Sequence, residues 1–235
     1  MKTLPLTFKP IMTFGGNFKI NLATIILIAT MGLTAPVHAA PADVDETGVG
    51  WWWGEPTGGT AKIVRTNKGI SGNFSSPLAN SVGSAEGLAV TLWLIIFNNP
   101  NECATTPCSE ADLFNPSVEP DAIYGAGNII DDSEVASFGF SLKAGDNSGS
   151  IADLFGMPTD DGDPFGLINP RGAEVHYVLR LHGPMIPLEM PAQIKTYGGG
   201  CVDFAPYGYS PPAEESELKL GWGECQDVQA ALNLP

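Results

Sequence analysis

Residues 173–182 read Ala-Glu-Val-His-Tyr-Val-Leu-Arg-Leu-His. Side chains alternate across a β-strand, so this stretch separates into two faces. Ala173, Val175, Tyr177, Leu179 and Leu181 make one apolar face, which belongs in a core. Glu174, His176, Val178, Arg180 and His182 make the other, with an acid, two imidazoles and a guanidinium in one row. The periodicity is that of a strand with one face on a core. The polar row is either the solvated side of an antiparallel sheet or a row that binds or reacts.

Working outward, other segments carry strand signals of different kinds. Residues 60–65 and 69–74, with Asn67-Lys68-Gly69 between them, predict a hairpin. Residues 85–97 (AEGLAVTLWLIIF) are continuously apolar, crowded with β-branched and aromatic residues, and stopped by Asn98-Asn99-Pro100. That pattern predicts a central strand covered on both faces. Residues 122–130 and 135–142 predict a second hairpin, with Phe138 and Phe140 on one face and Ser137, Gly139 and Ser141 on the other. Ser109-Glu110-Ala111-Asp112 has capping-box character and predicts one helical turn. Residues 151–155 predict another inside a Gly-, Asp- and Pro-rich loop (145–172). The tail, 228–234, is amphipathic and predicts a short C-terminal helix. Residues 40–235 hold 25 glycines and 17 prolines, and no long segment keeps a helical period. The fold class expected is all-β: one sandwich or barrel of mostly antiparallel strands with long Gly/Pro-rich loops.

The first 39 residues have the layout of an export signal. Lys2, Lys9 and Lys19 are the only charged residues there, and an apolar run, 22–33, follows. At twelve residues it is shorter than the roughly 20 that span a bilayer. Val37 and Ala39 occupy the small-residue positions before a cleavage point after Ala39, with Ala40 as the alternative. The expected organisation is a signal peptide over 1–39, an acidic, Trp-containing segment over 40–59, and one disulfide-stabilised β-rich domain over 60–235. The expected location is periplasmic or extracellular, without stable membrane insertion once the signal is removed.

The chain has 11 basic and 26 acidic residues. All 26 acidic but only eight basic residues lie beyond position 39, a net charge of −18 for that part. A surface of this sign disfavours nucleic acid, whose phosphates need clustered Lys and Arg. It favours cations. Four cysteines, Cys103, Cys108, Cys201 and Cys225, allow three pairings, of which Cys103–Cys108 and Cys201–Cys225 are the closest in sequence. On a loop-entropy model they contribute about 2 and about 3.5 kcal/mol. A zinc site is disfavoured by the lack of C-x-x-C spacing and of a His next to any cysteine.

Three places offer chemistry. In the polar row, His176 and His182 lie about 20 Å apart along an extended strand, too far to share a metal. Glu174 and His176, about 7 Å apart, suit one metal ion or an oriented acid/base pair. Arg180 suits a carboxylate or sulfate. Asp160, Asp161 and Asp163 around Gly162 suit calcium, although the EF-hand order is absent; otherwise they are a solvated acidic loop. Trp51-Trp52-Trp53 suits a sugar ring, or packs in a core. No nucleophile elbow, H-E-x-x-H, phosphate loop or dinucleotide fingerprint occurs. A non-enzymatic binding or structural role is therefore the leading expectation. A metal-binding protein (transition metal or calcium) and an extracytoplasmic hydrolase or oxidoreductase are the alternatives.

The stretches Asn169-Pro170-Arg171-Gly172-Ala173-Glu174-Val175-His176 and Leu181-His182-Gly183-Pro184, with Gly198-Gly199-Gly200-Cys201 and the loop from Asn99-Pro100 to Cys108, resemble segments of secreted bacterial proteins of unknown function. A-E-V-H and L-H-G-P are also remotely similar to the A-H-I-H-G signature of CHRD domains, which are β-rich secreted modules. That signature sets its histidines two residues apart, and here they are six apart. The resemblance implies a secreted β-rich fold and carries over no site residue.

Overall fold

The computed structural model describes residues 40–78, 84–202, 214–215, 218 and 221–235. The expected export signal lies outside them. The described residues form eight strands: β1 (Asp43–Trp51), β2 (Pro56–Thr66), β3 (Gly69–Pro77), β4 (Leu88–Phe97), β5 (Pro120–Ile129), β6 (Val135–Lys143), β7 (Glu174–Pro184) and β8 (Gln226–Asn233). They make one sheet in the order β5-β4-β7-β8-β1-β2-β3-β6, every pair antiparallel. The two ends of that order, β5 and β6, are consecutive in sequence and lie against each other. The sheet therefore curls into a nearly closed barrel, as expected of an all-β chain.

The interior is filled rather than hollow. Leu92, Leu94, Ile96, Val175, Tyr177 and Leu179 of the β4–β7 wall meet Phe74, Phe138 and Phe140 of the opposite wall in one cluster. Phe140 and Phe74 pack on the Tyr177 ring at centroid distances of 5.6 and 6.4 Å. The two walls differ outside. On β6 buried and exposed residues alternate along the strand, the pattern of a sheet with one wet face. On β4 and β7 nearly every residue is buried, because loops cover their outer faces.

Three sequence expectations need correction. Residues 122–130 and 135–142 are strands joined by a tight turn, yet they share no ladder: β5 pairs with β4, and β6 with β3. They form the seam of the barrel. The tail is not a helix. Its alanines favour one, but β8 inserts between β7 and β1, and the ladders it completes outweigh local propensity. The stretch 40–59 is not separate from the sheet, since it contributes β1 and the start of β2. The β2–β3 hairpin, the central β4 and the turn α1 (Ala152–Phe155) stand as expected, as does the helical turn at Glu110–Phe114. That turn is closed by Asp112, whose Oδ2 accepts from the Ser109 N–H and hydroxyl.

A bulge in β8, where Leu179 and Arg180 face Gln229 and Asp227 and Val228 is the extra residue, separates two residues that a helix or a regular strand would treat alike. Val228 is fully buried, whereas Leu232 is 41 % exposed. Val228→Lys should cost at least about 3 kcal/mol and Leu232→Lys less than about 0.5 kcal/mol. Urea unfolding of both variants checks this, and comparable losses at the two positions would contradict the bulged register of β8.

Candidate functional site

The polar row on β7 faces outward, but it does not face water. Glu174, Arg180 and His182 are buried, and the His176 side chain is 17 % exposed. The expectation of a solvated face fails because three loops lie across it: 98–119, 145–172 and 185–202, the last containing α2 (Met190–Gln193). A strand pattern gives the direction of a side chain and carries no information about what a distant loop brings over it.

At one end, Glu174 Oε1 accepts the Cys108 N–H at 2.8 Å and contacts His176 Nε2 at 2.5 Å. The Cys103–Cys108 disulfide, Cα–Cα 5.4 Å, closes the loop that supplies that N–H. The carboxylate can only accept, so Nε2 carries the proton. The His176 ring packs on Phe97 at 4.9 Å. Burial lowers its pKa, and the hydrogen bond and charge of Glu174 only partly oppose this. Its Nδ1 is engaged by no described residue. The arrangement is an oriented carboxylate–imidazole pair, and among the described residues no hydroxyl or thiol is hydrogen-bonded to it.

In the middle, Arg180 Nη1 donates to Asp227 Oδ1 at 2.8 Å and Nε donates to the Tyr197 carbonyl at 2.8 Å. Its guanidinium lies 3.9 Å from the Tyr197 ring centroid, and the Tyr197 hydroxyl donates to Asp227 Oδ2 at 2.6 Å. Tyr197 stands edge-on to Trp93 and Phe155, at 5.4 and 5.0 Å. Sequence reasoning offered Arg180 an external anion. The structure gives it an internal one, on β8.

At the other end, both nitrogens of His182 are engaged. Nδ1 lies 2.8 Å from the Gly199 carbonyl, which can only accept, so Nδ1 is protonated. Nε2 therefore accepts from the Thr91 hydroxyl at 2.8 Å, and Thr91 Oγ1 accepts the Trp93 Nε1–H at 2.8 Å. The ring is neutral. Burial, with the Arg180 charge nearby, pushes its pKa down to about 3. The Cys201–Cys225 disulfide, Cα–Cα 5.6 Å, covers this end, with its sulfurs 3.9 and 3.7 Å from Nδ1.

Other expected residues are not brought to the row. Asp160 and Asp163 exchange backbone hydrogen bonds at 2.9 Å across Asp161-Gly162, both at positive φ. That is a tight turn, with its three carboxylates exposed. Among the described residues, the only three potential metal-ligand atoms that converge are those of His182, Cys201 and Cys225. Trp51 and Trp53 stack at 4.8 Å with an 8° interplanar angle, leaving Trp52 40 % exposed. Two surface clefts, one around Asn98–Glu102 and one around Asp43–Thr47, contain none of the four polar row residues.

Several participants were missed in the sequence. Thr91 alternates with Val90 and Leu92 in an apolar run, and its role depends on a neighbouring strand. Arg65 ends the inward face Ala61-Ile63-Arg65 and donates to the carbonyls of Pro170, Ala173 and Asn233, tying β7 and β8 at one barrel end. An Arg at the end of an apolar alternation was the available signal. Asp121 accepts from the N–H groups of Ala122 and Gly166 and from the Ser150 hydroxyl, and burial raises its pKa against those bonds.

Fold and row together define a class: a small antiparallel barrel whose outer wall is fastened to its loops by buried polar groups and two disulfides. No family model, curated protein or solved structure matches the chain.

Two measurements follow from this geometry. Asp227→Ala withdraws the carboxylate from a buried guanidinium and should cost about 3–5 kcal/mol, most of it recovered by pairing Asp227→Leu with Arg180→Met. Denaturant unfolding of both variants reads the difference. The second concerns pH. His182 has a folded pKa of about 3 against an ordinary 6.5, so between those values the unfolded chain binds the extra proton. Its stabilising share is complete above pH 6.5 and declines as pH falls, with a slope approaching about 1.4 kcal/mol per unit. The depressed His176 acts in the same direction. Unfolding midpoints should therefore drop between pH 7 and pH 5; a flat profile would mean that His182 is not buried as the neutral ring.

Proposed function

We propose that the chain is an exported, acidic β-barrel domain with a non-enzymatic binding or structural role outside the cytoplasm. One observation carries the non-enzymatic part: the polar groups of the β7 row are directed to the covering loops and to the neighbouring strands β4 and β8. Glu174 holds Cys108, Arg180 holds Asp227 and Tyr197, and His182 holds Thr91 and Gly199. Groups engaged in this way fix a surface in place. Two disulfides support an extracytoplasmic setting, since such bonds persist in oxidising compartments. Among the described residues no helix is long and apolar enough to cross a membrane.

The acid excess supports solubility and attraction of cations, and it argues against nucleic acid as a partner. Trp52, exposed beside the stacked Trp51–Trp53 pair, is the surface feature best suited to a carbohydrate ring. A second reading, an extracytoplasmic hydrolase, rests on the oriented Glu174–His176 pair and the unengaged His176 Nδ1.

Purified protein assayed on a panel of ester, glycoside, phosphate-ester and peptide substrates should show no turnover above the buffer rate. Turnover lost on His176→Ala, with the unfolding midpoint unchanged, would replace the non-enzymatic reading with the hydrolase.

A further inference from the structure

Cys201 and Cys225 had no histidine near them in sequence, but the fold supplies one. β7 carries His182 under their disulfide, so that Nδ1 lies 3.9 Å from one sulfur and 3.7 Å from the other. In a tetrahedral zinc site with Zn–S near 2.3 Å and Zn–N near 2.0–2.1 Å, each nitrogen–sulfur edge is about 3.6 Å. Two edges of such a site are therefore nearly in place while the sulfurs are still bonded to each other. The third edge needs them about 3.8 Å apart, which only cleavage of the disulfide allows.

We propose that, once this disulfide is reduced, His182 Nδ1 and the thiolates of Cys201 and Cys225 form a binding site for a soft or borderline divalent cation such as Zn2+. The site is distinct from the Glu174–His176 pair, and it extends the functional reading above without depending on it.

The chemistry balances with a dithiol as reductant. The dithiol gives two electrons and two protons; the Cys201–Cys225 bond breaks, the reductant closes its own disulfide, and two thiols remain. Zn2+ then forms two Zn–S bonds and releases both thiol protons to water. The imidazole changes tautomer by exchange with solvent: Nδ1 gives up its hydrogen bond to the Gly199 carbonyl, which has to swing aside as the opened disulfide frees the segment around Cys201, and loses its proton to leave a lone pair for the metal, while Nε2 takes one up. Nε2–H then donates to Thr91 Oγ1, which now lies 2.8 Å away as the donor. A hydroxyl that can give or take a hydrogen bond thus supports either tautomer, and it would hold the ring as outer partners hold metal-bound imidazoles. Water completes the fourth position. Both cysteines are half-buried, so a small reductant and the ion can reach them. The Cys103–Cys108 pair lies at the Glu174 end of the strand and has no imidazole in such a group.

The test uses Zn2+ alone as the probe. Protein reduced under argon with a dithiol, then freed of it by gel filtration so that no competing thiol remains, is dialysed against micromolar Zn2+ and assayed for metal; the oxidised protein is treated in parallel. Reduced protein should retain close to one Zn2+ per chain and oxidised protein none. C103S/C108S should keep the ion and C201S/C225S should lose it. Co2+ in place of Zn2+ should give the charge-transfer band of thiolate ligation, weakened by His182→Gln. If reduction unfolds the chain, Zn2+ should restore its β circular dichroism, because metal binding then drives folding. Equal metal in the oxidised and reduced forms, retention by C201S/C225S, or no binding and no restored β signal would each overturn the proposal.

Discussion

The wall made by β4 and β7 excludes water from both of its faces, and the rest of the structure answers to that constraint. Their inner side chains meet it with apolar groups, apart from the Tyr177 hydroxyl, which is buried without a hydrogen-bond partner among the described residues. Their outer side chains include a carboxylate, two imidazoles, a guanidinium and a threonine hydroxyl. A buried polar group without a partner costs on the order of 1–3 kcal/mol, and a buried charge more. The loops over this wall therefore present carbonyls, N–H groups and a phenol at set positions: Cys108 N–H, Tyr197 and the Gly199 carbonyl. The asparagine ending β4 works in the same way. Asn98 receives the N–H groups of Ile168 and Asn169 on Oδ1 and donates to the carbonyls of Glu119 and Gly166. Apolar contact alone would let these long, Gly- and Pro-rich loops slide. Directional bonds to fixed strands give them one position.

Close packing of backbone reinforces the same attachment. A Cβ on Gly127 of β5 would stand 1.9 Å from the Ile194 carbonyl oxygen, so only glycine lets the segment after α2 approach this strand. Tyr124, three residues earlier, donates its hydroxyl to that same carbonyl at 2.7 Å. One carbonyl is thus fixed by a missing side chain on one side and a hydrogen bond on the other. It brings Tyr197 and Gly199 within reach of Arg180 and His182.

What the sequence disclosed divides along the same line. Elements whose partners are near in sequence, or whose burial is extreme, were legible: the β2–β3 hairpin, the apolar β4, the alternation of β7. Elements defined by distant partners were not. β8 looks helical because Ala230 and Ala231 are good helix formers, and only the gap between β7 and β1 makes it a strand. β1 hides in an acidic stretch because its first four side chains remain on the surface, where Asp and Glu cost little. For the row, alternation gave the face and the spacing separated the two histidines. Its surroundings were invisible, since Asp227 is 47 positions from Arg180, Thr91 is 91 from His182, and Glu174 is 66 from Cys108. The sequence shows neither C-x-x-C spacing nor a histidine beside a cysteine, while the fold places one 3.7 Å from a cysteine sulfur.

The two disulfides sit at opposite ends of one strand's polar row, and the placement has a mechanical consequence. Cys108 presents its N–H to Glu174, and Cys201 and Cys225 cap His182. The shorter loop, with a sequence separation of 5, removes little chain entropy, whereas the longer one, with a separation of 24, removes more. Their shared effect is local: each makes rigid the segment from which a partner of a buried polar group is drawn. Buried ionisable groups tolerate little displacement, because lengthening a charge-assisted bond restores the desolvation penalty it had offset. The covalent links and the polar row therefore depend on each other. Burial of the row is tolerable because the loops are held, and the loops are held in one place because the row gives them directional partners.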